Sequence, residues 1–99
     1  MNNLTYNIFY CSSNCQKDLD RIYEVLSKEY NALINSDENC IDAEFESVGT
    51  FNQDIKDKLK SIVENPSSMY IRVLSFCLED EYASLNILKN GLWILKQPN

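Results

Sequence analysis

The thiols are the first residues in this chain whose placement suggests chemistry. Cys11 and Cys15 bracket the end of a strand-like run and the start of a helix-like one, where the positive end of a helix dipole lowers a thiol pKa. A small thiol-dependent enzyme using Cys11 or Cys15 is therefore one reading of the chain. Against it, the chain contains no histidine, which removes Cys-His and Ser-His pairing and the commonest metal ligand. The spacing of the pair also lacks the proline or aromatic context of redox dithiols. Cys15 and Arg21 stand at the C-x5-R spacing of phosphatases that cradle a phosphate in backbone amides. The residues between them, Gln16-Lys17-Asp18-Leu19-Asp20, hold two carboxylates and no glycine, so they oppose an anion and the match reads as coincidence.

Metal and phosphate chemistry find little else to use. A four-thiolate zinc site needs two close cysteine pairs, whereas Cys40 and Cys77 stand apart; no metal and no cofactor is expected. Cys77 sits in the apolar run Ile71-Arg72-Val73-Leu74-Ser75-Phe76-Cys77-Leu78 and reads as a small buried hydrophobe. Gly49 and Gly91 are the only glycines, so no glycine-rich phosphate loop can be written. Met1 to Tyr10 carry no lysine, no arginine and no long apolar stretch, which predicts a cytoplasmic protein without a membrane anchor and with reduced cysteines.

Carboxylates are the abundant polar chemistry. The 99 residues hold 15 acidic and 9 basic side chains, a formal charge of -6, which argues against direct nucleic-acid binding. The imbalance is local: Asp37, Glu38, Asp42, Glu44, Glu46 and Asp54 fall between positions 37 and 55 with no lysine or arginine among them. Outside that stretch acids and bases balance. Glu79-Asp80-Glu81 forms a second, shorter acidic group. A general acid or base at Glu44 or Glu46 would need desolvation that an outward strand face does not offer.

These residues must be placed by secondary structure, and the periodicities are legible. Leu4 to Tyr10 alternates Leu4, Tyr6, Ile8 and Tyr10 with Thr5, Asn7 and Phe9, a period of two that predicts a strand. Ser13 and Gln16 make a capping box, and Leu19, Ile22, Tyr23, Leu26, Tyr30 and Leu33 recur at helical spacing, predicting a helix of about twenty residues that stops at Asn35-Ser36. Ile41 to Val48 alternates again, with Ile41, Ala43, Phe45 and Ser47 on one face and Asp42, Glu44, Glu46 and Val48 on the other. Thr50 and Gln53 form a second capping box, and Phe51, Ile55, Leu59, Ile62 and Val63 a second apolar stripe ending at Asn65-Pro66. Met69 to Leu78 is apolar on both alternations and predicts a central strand. Glu79-Asp80-Glu81 then makes a polar turn, and Asn90-Gly91 between LNILK and LWILK signals a two-residue hairpin turn. Its register pairs Lys89 with Leu92, Leu88 with Trp93, Ile87 with Ile94 and Leu85 with Lys96.

The expected fold is a single α+β domain over residues 1–99, in the order β-α-β-α-β-β-β. Two helices cover one face of a mixed sheet that ends in an antiparallel meander, and a parallel first strand pair would be joined by a right-handed crossover. The expected function is that of a small acidic protein-binding inhibitor: an immunity protein or antitoxin that occludes a basic, nuclease-type toxin. Asp42, Glu44, Glu46, Glu79, Asp80 and Glu81 are the expected contacts, with Trp93 as an aromatic anchor if it is exposed and a core residue otherwise. Alternatives are a phage-type (anti-CRISPR-like) inhibitor of a nucleic-acid-handling enzyme, the thiol enzyme, and a homo-oligomeric structural module.

Overall fold

The computed structural model describes residues 4–48, 53–77, 79 and 81–96. Along the chain run β1 (Leu4–Ser12), α1 (Gln16–Glu29), β2 (Leu33–Asp37), β3 (Cys40–Val48), α2 (Gln53–Ser61), a 3-10 turn (Pro66–Ser68), β4 (Tyr70–Cys77), β5 (Tyr82–Lys89) and β6 (Leu92–Lys96). The six strands form one sheet in the order β2-β3-β1-β4-β5-β6. Every neighbouring pair is antiparallel, which corrects the expected mixed sheet.

The reason is a strand the periodicity concealed. α1 stops at Glu29 rather than Asn35 because Asn31 adopts a left-handed φ of 50°, a conformation Asn tolerates better than most residues. The Ala32 amide then donates to the Leu26 carbonyl at 3.0 Å, satisfying a helix-end acceptor. Leu33, expected on the helix stripe, opens β2 instead, and β2 turns through Glu38-Asn39 into β3, with Asp37 opposite Cys40. That reversal makes β3 antiparallel to β1. The expected cap at the other end of α1 is also replaced. β1 runs on to Ser12, Cys15 is the N-cap without a side-chain bond, and the Ser13 hydroxyl accepts from the Cys15 amide at 3.0 Å. Thr50, the first half of the second capping box, lies outside the described residues.

The connections have a simple logic. β1 and β2 run in the same direction with β3 between them, and β3 and β4 run in the same direction with β1 between them. The chain thus makes two interleaved split β-α-β units. One unit steps toward β2 and the other toward β4, from oppositely directed strands, so crossovers of the same hand deliver both helices to the same face. Leu19, Ile22 and Leu26 of α1 and Leu59 of α2 pack there on Phe9, Ile41, Ala43, Phe45, Ile71, Val73 and Leu88. Phe9 and Tyr30 each meet the Phe45 ring, with centroids 6.4 and 5.1 Å away. β4 is central in the sheet as expected, but helices cover only one of its faces.

Asp18 fastens the helical layer. It sits in the first turn of α1, fully buried, and its two oxygens accept from the Glu64 and Asn65 amides at 2.9 and 3.2 Å. Arg21 stands 3.6 Å from the same carboxylate. The loop that follows α2 is thereby held to the start of α1. Asp18→Asn puts an amide donor where one oxygen accepts, and it should lower unfolding free energy by about 1–3 kcal/mol in urea titrations. An unchanged midpoint would show that the two loop amides do not depend on this carboxylate.

Candidate functional site

The face away from the helices has a composition unusual for one that meets solvent. Reading across β3, β1, β4, β5 and β6, cross-strand partners form the rows Glu44, Ile8, Leu74, Leu85, Lys96 and Asp42, Tyr10, Arg72, Ile87, Ile94. A third row sets Glu46, Tyr6, Phe76 and Ala83 side by side. Leu4, Tyr6, Ile8, Val48, Leu92 and Ile94 on this face are all exposed. The centre of the face is thus apolar and aromatic, and its β3 margin is acidic. Uncovered apolar area of this kind is more common at protein interaction surfaces than elsewhere on monomers.

Asp42, Glu44 and Glu46 stand together on β3 and point to this open side, as their alternation predicts. Among the described residues, none of them forms an ion pair. Glu44 accepts from the Tyr6 hydroxyl, and that bond, followed by partial desolvation and the charges of Glu44 and Glu46, raises the Tyr6 pKa above its usual value. Glu79, at the end of β4, joins the stripe. With Glu46, Leu4, Tyr6 and Phe76 it lines an open depression of about 450 Å³. A second depression, about 460 Å³, includes Asp42 and Glu44 with Ile8 and Leu33. An apolar floor with carboxylates at its rim suits a group that is both cationic and apolar, such as an arginine or lysine side chain on its alkyl stem. Glu81 is exposed in the turn with φ 50° and lines neither depression. Asp80 lies outside the described residues.

Trp93 is on the other face. It stands opposite Leu88, packs against the core, and its indole N–H donates to the Lys56 carbonyl of α2 at 3.3 Å. The core alternative for this residue is the one the fold adopts. The hairpin register read from Asn90-Gly91 is realised, with positive φ at both turn residues (55° and 78°). The residues it sends to the open face are Leu85, Ile87, Leu92 and Ile94. Together with Leu4, Tyr6, Ile8, Leu74 and Phe76, these belong to the surface and were not singled out from the sequence. The available signal was that β4 is apolar on both alternations, and that β1 carries Phe9 on one alternation and Leu4, Tyr6 and Ile8 on the other, while two helical stripes can cover only one side.

The catalytic alternatives gain nothing from the geometry. All four cysteines are free. Cys11 is fully buried between β3 and β4, and burial pushes its thiol up to about 12, the opposite of what a nucleophile needs. Cys15 caps the start of α1 in an extended conformation and Arg21 lies within the helix, where it is engaged by Asp18 and Glu64 at 3.6 and 3.4 Å. Among the described residues, no group of three or more Cys, Asp or Glu is arranged to hold a metal ion, and no helix is long and apolar enough to cross a membrane. Comparison with known protein families, with curated proteins and with solved structures finds no match to this chain.

The Cys11 shift carries a pH dependence. The folded state holds the thiol proton until about 12, while the unfolded chain releases it near 9.0. The resulting stabilisation is complete below pH 9.0 and is lost as pH rises toward about 12. Urea midpoints of the wild type should fall over that interval more steeply than those of Cys11→Ala, and iodoacetamide should modify Cys11 only after unfolding. Rapid labelling of native Cys11 near neutral pH would contradict this burial.

Proposed function

We propose that this protein works by stoichiometric binding of a basic protein through the β3 side of its open sheet face. The partner class that fits best is a nucleic-acid-handling protein, above all a nuclease-type toxin, and the chain is then its immunity protein or antitoxin. One observation carries the reading: Asp42, Glu44 and Glu46 stand in a row with no cationic partner among the described residues, beside exposed apolar side chains, and Glu46 shares a depression with Glu79. Surfaces that hold phosphates are cationic, and a carboxylate row backed by apolar area can occupy such a surface in the phosphates' place. The carboxylates steer the encounter and the apolar centre supplies buried area. The same reasoning admits a phage-type inhibitor of a nucleic-acid-handling enzyme, which differs in the partner and not in the surface. In either case the chain acts by occupying its target rather than by turning over a substrate, and a cytoplasmic location suits that role.

The test uses the wild-type chain and an Asp42→Lys, Glu44→Lys, Glu46→Lys variant as baits in lysate of the native host. The expected result is one basic protein held by the wild type at low ionic strength, released at about 0.5 M salt where the Debye length is only a few ångströms, and not held by the variant. Its nucleic-acid-cleaving activity should then fall to zero as the chain is titrated to equimolar amounts. The same proteins on both baits, or a captured protein whose activity the chain leaves unchanged, would overturn the reading.

A further inference from the structure

Apart from Glu79 at the end of β4, the charges that the described strands carry on the open face fall in two separate halves. Asp37, Asp42, Glu44 and Glu46 stand on β2 and β3, whereas Arg72, Lys89 and Lys96 stand on β4, β5 and β6. Between them lie Tyr6, Ile8, Leu74, Phe76 and Leu85. A basic partner complements one half of this pattern and opposes the other. A second copy of the same face, suitably turned, complements both.

We infer that a second copy of this chain covers the open face, sheet against sheet, about a two-fold axis that runs parallel to the strands between β1 and β4. Three strands lie on each side of that axis, so β1 meets β4 of the other copy, β3 meets β5 and β2 meets β6. The acidic half of each copy then lies over the basic half of the other. Within the row of Ile8, Leu74 and Leu85, Ile8 of one copy opposes Leu74 of the other. Glu44 opposes Leu85, with Lys96 one strand away, about 4.8 Å to the side. In the next row Tyr10 opposes Arg72, the pair already stacked within one chain with the guanidinium 5.0 Å from the ring centroid. A two-fold axis across the strands would instead lay β3 on β3 and set Asp42, Glu44 and Glu46 against their own copies, a like-charge contact that disfavours association. The charge pattern therefore selects one of the two isologous arrangements.

The area is sufficient. Six strands about 4.8 Å apart, of five to nine residues at about 3.3 Å each, give a face of roughly 700 Å² per copy. The two together bury on the order of 1,400 Å², within the range of specific protein interfaces. The dimer does not require the partner proposed above. Where both exist they compete for one face, and the dimer is the form that the partner has to open.

Sedimentation equilibrium at roughly 5 and 200 µM decides between the alternatives. The wild type should show a mass twice 11.5 kDa at the higher concentration. Ile8→Lys should be monomeric with unchanged circular dichroism. Glu44→Lys and Lys96→Glu should each weaken association about tenfold or more, and the double exchange should restore it. A wild-type monomer at both concentrations overturns the inference, as does a dimer that neither single exchange weakens or that the double exchange weakens further. A monomer that still captures a basic protein overturns the dimer and leaves the partner reading standing; a dimer that captures none does the reverse.

Discussion

The shared hand of the two split crossovers is the constraint from which the rest of this molecule follows. Once β1-α1-β2 and β3-α2-β4 interleave, both helices fall on one side of the sheet, and none of the described helices covers the other. β5 and β6 widen the sheet without adding a helix, so they enlarge the uncovered face as much as the covered one. The covered side gathers a core of Phe9, Phe45, Ile71, Val73 and the helical leucines. The other side is left with Leu4, Ile8, Leu92 and Ile94 against solvent. The separation of a covered face from an open face is thus topological, and residue chemistry determines only what the open face presents.

Topology does not by itself say which face of β1 goes inward, because both alternations of LTYNIFY can be buried. A slip of one residue would bring Leu4, Tyr6, Ile8 and Tyr10 inward in place of Thr5, Asn7, Phe9 and Cys11, with no loss of apolar area. Asn7 resolves the choice. It is fully buried, its amide donates to the Phe45 carbonyl at 3.2 Å and to the Ser47 hydroxyl at 3.0 Å, and its oxygen accepts from Ser75 at 2.7 Å. One side chain thereby ties β1 to both of its neighbours, β3 and β4. Shifted by a residue, Asn7 would lose these partners and Ser47 and Ser75 would lose theirs, at about 1–3 kcal/mol for each buried group left unpaired. Polar residues within this core specify register where hydrophobicity leaves it ambiguous.

The same ambiguity explains what could be read from the sequence. Asp42, Glu44 and Glu46 alternate strictly with Ile41, Ala43 and Phe45, so the orientation of β3 was legible residue by residue. The Asn90-Gly91 turn demands positive φ twice, so the hairpin register was legible too. β2 was not, because Ala32, Leu33 and Ile34 follow Leu26 and Tyr30 at spacings that also continue a helix. Asn31 was the stop signal, and it was outranked by the periodicity around it. The antiparallel sheet follows from β2 and was lost with it. Trp93 shows the converse limit: its cross-strand partner was legible, but the side of the sheet that α2 would cover is a property of the crossovers and not of the hairpin.

How the sheet ends bears on how it associates. β2 and β6 are the two edges, and each is only five residues long. β2 finishes on Asp37 beside Glu38, and β6 finishes on Lys96. Short edges with charged ends are poor templates for pairing with another chain, because a strand added there gains few ladder hydrogen bonds and must accommodate the charge. The interior strands β1, β4 and β5, by contrast, are eight or nine residues long and carry the apolar centre of the open face, which Leu92 and Ile94 of β6 extend. Association by edge extension is therefore discouraged where the backbone is unpaired, and association by the face is favoured where backbone bonding is complete and apolar side chains are exposed. On the readings proposed above, contact is made through side chains, and the division of the charges between the two halves of that face governs which partners fit and how they are turned.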